Sequence, residues 1–493
     1  MRSNPASPLA NLQPALVWSH FQTLCDIPRV SKHEAPLRDH LQRWADAHGL
    51  ENMVDAAGNL ILRKPATPGM ENRHGVVLQG HLDMVCQKNN DTAHDFHRDP
   101  IRPVLHDGWL VAENTTLGSD NGIGVALALA VLEAKDIPHG PLEVLLTVDE
   151  EAGMGGAQGL ASATLSGDLL INIDTEEWGQ FYLGCAGGMD VVVKHTCVME
   201  GKPAGHVVRC ITVKGLKGGH SGIDIHLGRG HAIKLLVRLL RKLERDHALR
   251  LVDLAGGTAR NALPREASAT VTFSAQHEAA IVAELAAFQS LLRDELAGAG
   301  ENVSVTLFAP THAVETVLAL QDQLKLLAAL NAAPQGVKRM STRVEDVVET
   351  SDNLGVVRIA EGNCEAVFMV RSLLDSAAQA LADEICGLFA LIGADAAKNG
   401  AYPGWKPNPD SALLALCQRV YSTEFGGSAE VKVIHAGLEC GIIGAKYPQM
   451  DMISFGPDIR GAHAPGERVN VDSVAQCWRL LKAILAAVPA RPA

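Results

Sequence analysis

The residues of this chain best able to do chemistry are a histidine and a set of carboxylates. They are His81, Asp83, Asp120, Glu150, Glu151 and Asp174. Imidazole and carboxylate ligands together suit Zn²⁺, Mn²⁺ or Co²⁺. The residue types therefore predict a metal site, and with it hydrolysis by an activated water molecule.

Three apolar runs each end just before one of these residues, and they span 75–80, 142–148 and 169–173. Short runs rich in Val, Ile and Leu, separated by helical stretches, are typical of buried parallel strands. Chemistry gathers at the carboxyl ends of such strands. We therefore expect the side chains that follow the three runs to meet at one edge of a sheet.

The metal ligands expected from this pattern are His81, Asp120, Glu151 and Asp174. Four ligands are few for two ions unless one carboxylate bridges them, so a further histidine is expected from the C-terminal part of the chain. His463 follows a predicted strand and is the preferred candidate. His435 also follows a predicted strand and is the alternative.

Two other carboxylates are predicted to support these ligands. Asp83 has strand-like spacing from His81, so it would accept the imidazole N–H that a metal ion does not use. Glu150 is the predicted general base for the attacking water. We expect Glu150 and Glu151 to face opposite ways, because adjacent residues do so in extended backbone.

Residues 214–222 form a glycine-rich, basic loop that carries His220 and precedes a predicted helix. Such a loop could cradle a phosphate, although its spacing is not that of a P-loop. His220 could instead reach over the metals and hold a developing oxyanion. A surface turn without a catalytic role is the third possibility.

The predicted fold is an α/β catalytic domain, split in sequence, with an inserted α+β domain. Residues 1–186 and 402–493 are assigned to a mixed, largely parallel sheet flanked by helices, and residues 187–401 to the insertion. The insertion has predicted amphipathic helices at 230–245, 276–297, 316–333 and 376–393. Its similar segments 258–262 and 350–354 predict an internal duplication.

Composition excludes several classes of partner. The net charge of −13 argues against nucleic acid and anionic membrane surfaces. The longest apolar stretch, 123–132, is much shorter than the roughly twenty residues of a membrane span. The first eight residues lack the apolar core of a signal peptide, and the ten cysteines have no CxxC spacing. A cytoplasmic enzyme is expected.

The motifs that carry these residues are similar to those of the di-zinc aminoacylase and carboxypeptidase-like exopeptidases, and among them the cytosolic dipeptidases that cleave Xaa-His substrates. The matching segments include GHLDMV, TTLGSDNGIG, LINIDTEE, KGLKGGHSG and HAGLECGII. The resemblance implies two divalent ions, zinc before cobalt or manganese, with Asp120 bridging them. His81 and Asp174 would complete one site, and Glu151 and His463 the other.

The same resemblance implies hydrolysis of unblocked dipeptides, notably Xaa-His and carnosine-like substrates, by a hydroxide that bridges the metals, with Glu150 as general base. Tripeptide aminopeptidases and N-acyl amino acid deacylases share the metal set and are the alternative. The inserted domain would form a homodimer and supply His220 to the scissile carbonyl. The implied substrate contacts are Arg260, Asn261, His435 and Glu439, and a cis peptide is implied between Asp120 and Asn121.

Overall fold

The computed structural model describes residues 8–89, 91–299, 302–310 and 313–492. The first seven residues, where no signal peptide is expected, lie outside this described part. Among the described residues, no helix is both long and apolar enough to cross a membrane. The ten cysteines all fall in the described ranges, and each carries a thiol rather than a disulfide.

Helices and strands alternate along most of the described chain. The helices are α1 (Ala15–Asp26), α2 (Ala35–Ala47), α3 (Ser119–Glu133), α4 (Glu150–Gly153), α5 (Gly155–Gly159), α6 (Ala232–His247), α7 (Glu278–Glu295), α8 (Leu320–Ala332), α9 (Asp375–Ala390), α10 (Ala412–Phe425), α11 (Glu439–Lys446) and α12 (Val471–Ala487). The four helices predicted in the insertion are confirmed as α6 to α9.

Three strands were predicted from short apolar runs before His81, Glu150 and Asp174, and they are confirmed as β3, β6 and β7. The strands are β1 (Glu51–Val54), β2 (Leu60–Lys64), β3 (Val76–His81), β4 (Pro103–His106), β5 (Trp109–Ala112), β6 (Leu142–Thr147), β7 (Leu169–Asn172), β8 (Gln180–Cys185), β9 (Gly187–Thr196), β10 (Met199–Gly201), β11 (His206–Lys214), β12 (Arg250–Gly256), β13 (Ala267–Ser274), β14 (Ser304–Phe308), β15 (Thr316–Leu318), β16 (Gly336–Met340), β17 (Val348–Ala360), β18 (Asn363–Ser372), β19 (Asp395–Tyr402), β20 (Glu430–Ile434), β21 (Asp451–Ser454), β22 (Ile459–Arg460) and β23 (Arg468–Asn470).

The chain divides into two compact units. Unit 1 comprises the chain as far as Gly184, Pro407–Val433 and the part from Leu438 onwards, and unit 2 comprises Cys185–Lys406 and Ile434–Gly437. The residues expected to bind metal all belong to unit 1. His220, Arg260 and His435 belong to unit 2.

The main sheet of unit 1 has the strand order β1-β2-β6-β3-β7-β21-β8-β20. Its centre, β6-β3-β7-β21, is parallel, while β1, β2 and β8 join it in antiparallel pairs. All six residues of β3 are buried, as its unbroken apolar run predicts. The parallel centre brings the carboxyl ends of β3, β6 and β7 to one edge, where the predicted chemistry begins.

Helix α3 lies against α1 and β3 and is buried nearly all round. Its apolar residues cover every face, which is typical of a helix inside a core. Asp120 and Asn121 have non-helical backbone angles, so regular helix begins only at Gly122. The peptide between Asp120 and Asn121 is cis, as the resemblance implies.

Unit 2 contains a nine-stranded sheet in the order β14-β11-β13-β12-β17-β18-β9-β19, with β16 paired to β17. The pairs whose register is defined are antiparallel, and α6 to α9 share one apolar core with the sheet. In α6, Ile233, Leu236, Val237 and Leu240 are buried at helical spacing. An amphipathic helix of this kind must cover a sheet.

The order of elements in unit 2 is β-α-β-β-α-β from β11 to β14 and β-α-β-β-β-α-β from β15 to β19. The short sequence match behind the predicted duplication does not occupy equivalent places, however. Residues 258–262 form a loop after β12, whereas residues 350–354 lie within β17. The two stretches differ by one strand, and the internal duplication stays a prediction.

Candidate metal centre

His81 ends strand β3 and lies at the centre of the site. Its Nε2 is 3.2 Å from Asp120 Oδ1 and 3.3 Å from Asp174 Oδ1. Its Nδ1 is 3.1 Å from the Asp83 carbonyl oxygen and 3.5 Å from Asp83 Oδ1. The Nδ1–H can thus be donated to Asp83, an arrangement that fixes the tautomer and presents Nε2 to a metal ion.

Asp120 lies between two histidines and presents one oxygen to each. Its Oδ1 faces His81, and its Oδ2 is 3.0 Å from His463 Nε2. His463 Nε2 is also 3.3 Å from Glu151 Oε2. Ligand atoms of His81, Asp120 and Asp174 lie within 4.8 Å of one another, and so do those of Asp120, Glu151 and His463. The two groups share Asp120.

Glu150 and Glu151 occupy the first turn of α4, so the expectation that they stand in extended backbone and face opposite ways was wrong. Asp149, with φ 57°, turns the chain out of β6 and starts the helix. Both glutamates have a ligand atom within 4.8 Å of His81. The sequence pattern missed this turn because Asp149 adopts a backbone conformation that favours glycine.

Asp83 contacts both His81 and this turn. It is fully buried, and its Oδ1 and Oδ2 accept the backbone N–H groups of Glu150 and Glu151, each at 3.1 Å. Ser31 donates its hydroxyl to Asp83 Oδ2 at 2.7 Å. Burial opposes its charge, but the hydrogen bonds from His81 and Ser31 outweigh it and lower the pKa of Asp83 to about 2.

The centre holds more carboxylates than cationic groups. Burial raises the pKa of Asp174 to about 7, and burial with neighbouring carboxylates raises the pKa of Glu150 well above its usual value. Hydrogen bonds to Asp120 and Glu151 raise the pKa of His463 to about 11. Glu151 Oε1 is buried with no hydrogen-bond partner among the described residues. These oxygen and imidazole donors fit divalent cations, which would balance the negative charge.

Glu439 belongs to unit 1 and is fully buried. Its Oε2 accepts hydrogen bonds from Gln79 Nε2 and Thr147 Oγ1, each at 2.6 Å. Burial raises its pKa to about 7. The resemblance implies that Glu439 contacts the substrate, and in the structure its carboxylate is hydrogen-bonded to residues of strands β3 and β6.

His220 lies in unit 2, on the glycine-rich loop. Its Nδ1 accepts the backbone N–H groups of Gly222 at 3.1 Å and Ile223 at 3.0 Å. A ring nitrogen that accepts two hydrogen bonds carries no proton, so the neutral ring carries its proton on Nε2. His220 therefore has a fixed tautomer with Nε2 as its donor.

The other three predicted substrate contacts also lie in unit 2. Arg260 is half exposed and its Nη1 is 3.0 Å from Asp190 Oδ1, while Asn261 next to it is exposed. His435 is buried, and its Nε2 is 2.7 Å from Ser351 Oγ. Among the described residues, His463 contributes the second imidazole of the ligand groups that share Asp120.

Sequence analysis missed two buried residues that contact the loop carrying Asp120. Arg29 donates to the carbonyl oxygen of Gly118, and Glu467 accepts from backbone amides of residues 117–120. Neither residue carries a local signal, because each contact joins positions far apart in sequence.

The chain matches the family model described as peptidase family M20/M25/M40 over residues 77–487. It is 46% identical over 485 residues to the cytosol non-specific dipeptidase of Escherichia coli, a match that covers 98% of this chain and 100% of that protein. The match extends through both units.

Solved structures give the same result for the fold. The crystal structure of aminoacylhistidine dipeptidase from Vibrio alginolyticus is 46% identical, covers 99% of both chains and superposes with a TM-score of 0.87. Aminopeptidase PepT from Bacillus cereus is 17% identical over 97% of this chain and 99% of its own, with a TM-score of 0.57. The second likeness is one of fold alone.

Proposed function

The chain belongs to peptidase family M20/M25/M40, and on that basis we propose that it is a metal-dependent dipeptidase acting on unblocked dipeptides, including Xaa-His. Two relatives whose names state dipeptidase activity are each 46% identical to it over nearly its whole length. The observation that carries the proposal is the pair of ligand groups that share Asp120.

The residues that would hold two divalent ions are His81 and Asp174 at one site, Glu151 and His463 at the other, and Asp120 at both. Zinc is the proposed metal, with cobalt or manganese as substitutes, because imidazole and carboxylate ligands suit all three. When bound, such ions lower the pKa of a water molecule towards neutrality and polarise a carbonyl group.

Glu150 is the proposed general base. Its pKa is raised by burial, and a base whose pKa lies closer to the working pH exchanges protons more effectively. Its carboxylate takes the proton of the attacking water and then delivers it to the nitrogen of the leaving amine. Asp83 fixes the backbone of Glu150 and so sets where that carboxylate stands.

We propose that His220 donates its Nε2–H to the carbonyl oxygen as negative charge develops there. The fixed tautomer supports this role, since Nδ1 is occupied as an acceptor. Arg260 and Asn261 are proposed to contact the termini of the substrate. His435 and Glu439 are buried, and we propose that they shape the substrate pocket from behind its surface.

We propose a catalytic role for unit 1, which contains the ligand groups, and a lid and dimerisation role for unit 2. A homodimer is proposed from the resemblance of the motifs, and a cytoplasmic location is proposed as well. The Escherichia coli relative is named as a cytosol enzyme, and ten cysteines as thiols suit a reducing compartment.

The test is a substrate panel assayed with metal-loaded protein. Carnosine and other Xaa-His dipeptides are expected to be cleaved in preference to tripeptides and N-acyl amino acids. A chelator should abolish the activity, and Zn²⁺, Co²⁺ or Mn²⁺ should restore it. Cleavage of tripeptides or N-acyl amino acids without cleavage of dipeptides would contradict the proposal, and so would activity that survives complete chelation.

A further inference from the structure

Glu467 is a buried carboxylate, 2% exposed, that faces the loop before α3. Its hydrogen-bond donors are the backbone N–H groups of Leu117 (2.9 Å) and Gly118 (3.0 Å), which reach Oε2, and those of Ser119 (2.7 Å) and Asp120 (3.3 Å), which reach Oε1. The Ser119 hydroxyl also donates to Oε1. One carboxylate therefore accepts hydrogen bonds from four successive backbone amides.

These amides are not the ordinary donors of a helix N-terminus. Asp120 and Asn121 have non-helical backbone angles, and regular helix starts at Gly122. Helix formation alone would therefore not determine the position of Asp120. The carboxylate of Glu467 organises the turn that places the Asp120 side chain.

Arg29 holds the same loop through its carbonyl groups. Its guanidinium is buried, and Nη1 donates to the carbonyl oxygens of Leu82 and Asp83, each at 3.0 Å. Its Nη2 donates to the carbonyl oxygen of Gly118. Gly118 has φ 70°, and a Cβ there would meet Arg29. Arg29 thus ties the loop before Asp120 to the segment that follows His81.

The geometry of Asp120 requires a rigid loop. Its two oxygens face His81 and His463 on opposite sides. A small rotation of the Asp120 side chain would therefore shorten one of these contacts and break the other. Glu467 follows His463 by four residues. A single turn of the chain therefore supplies both an imidazole of the second ligand group and the carboxylate that fixes Asp120.

From this arrangement we propose that Glu467, supported by Arg29, is a positioning residue that presents Asp120 to both metal sites at once. The inference rests on the proposed function, because it assigns Asp120 the bridging place. Glu467 belongs to none of the possible ligand groups among the described residues. It acts through the backbone of residues 117–120.

The test compares Glu467→Gln with Glu143→Gln. Glu143 is a matched control: it is buried, it accepts the backbone N–H groups of Ser166 and Gly167 at 2.8 Å, and it lies at the start of β6, away from the strand ends that carry the ligands. Zinc affinity and stoichiometry are measured without substrate, by dialysis against metal buffers and elemental analysis, on protein shown by circular dichroism to be folded.

Replacing an outer partner of a metal ligand typically weakens metal binding about 10- to 100-fold. We expect that loss for Glu467→Gln, with kcat reduced more than KM is changed, and wild-type affinity for Glu143→Gln. Glu467→Asp keeps the carboxylate and should recover part of the affinity. If Glu467→Gln fails to fold, Ser119→Ala, which removes one hydrogen bond, should show a smaller loss of affinity in the same direction.

Equal metal affinity in the Glu467 and Glu143 variants, or unchanged affinity in Ser119→Ala, would overturn the inference. Failure of the proposed function would look different. Wild-type protein that binds two zinc ions but cleaves no dipeptide would contradict the dipeptidase assignment. The zinc affinities of the variants would still decide the role of Glu467.

Discussion

Replacement of Glu150 by Gln separates proton transfer from metal binding. The substitution keeps the size of the side chain and removes only its ability to accept a proton. General base catalysis contributes about 10²- to 10⁴-fold to rate, which corresponds to roughly 3–5 kcal/mol of transition-state stabilisation. We therefore expect kcat for dipeptide hydrolysis to fall by that factor while metal content stays at the wild-type level.

The neighbouring residue provides the matched control. Glu151 Oε2 is 3.3 Å from His463 Nε2, so Glu151→Gln should lose metal as well as activity. Steady-state kinetics and elemental analysis of the same preparations give both readouts. Loss of metal from Glu150→Gln would refute the assignment, since Glu150, Glu151 and His81 also form a possible ligand group.

The pH profile adds a second readout for Glu150. Burial raises its pKa, and the carboxylate can act as base only when it is deprotonated. Wild-type kcat/KM should therefore fall as pH decreases through that raised pKa. The residual activity of Glu150→Gln should lack this fall at low pH. If the variant keeps the same fall, another titrating group is responsible for it.

Two further predictions concern stability, measured by urea unfolding. Asp352 in unit 2 is buried with both carboxylate oxygens unpartnered among the described residues, and burial raises its pKa to about 7 against the pull of Lys234 and Lys338. Between about pH 4 and pH 7 the folded state holds a proton that the unfolded state has lost, so stability should decrease as pH rises, by up to about 4 kcal/mol. Asp352→Asn should lack this decrease between pH 4 and pH 7. An identical decrease in that variant would exclude Asp352 as its source. Gly124→Ala should destabilise the protein by about 1–3 kcal/mol, although Ala is the better helix former, because the new Cβ would clash with the Ile173 carbonyl oxygen. Equal or higher stability would contradict the close packing of α3.

The strand ends were predictable because the signal is local. The apolar runs before His81, Glu150 and Asp174 specify buried strands, and parallel strands bring their carboxyl ends together. The choice between His463 and His435 could not be made in this way, since both follow predicted strands. It depends on a contact between distant positions, which places His463 Nε2 3.0 Å from Asp120 Oδ2.

Interactions between distant positions gave no sequence signal. Glu467 contacts amides about 350 positions earlier, and Arg29 contacts carbonyl groups from two separate loops. A buried Arg or Glu looks like any surface charge when only its neighbours in sequence are known. The turn at Asp149 was missed for a related reason, because tertiary contacts, including Asp83 to the Glu150 amide, stabilise it.

Five side chains would hold two divalent ions, His81 and Asp174 at one site, Glu151 and His463 at the other, and Asp120 at both. The most direct measurement is an anomalous difference map from a crystal of zinc-loaded protein, recorded at the zinc absorption edge. We expect two peaks, one beside His81 and Asp174 and one beside Glu151 and His463, with Asp120 contacting both. A single peak, or peaks away from Asp120, would contradict it.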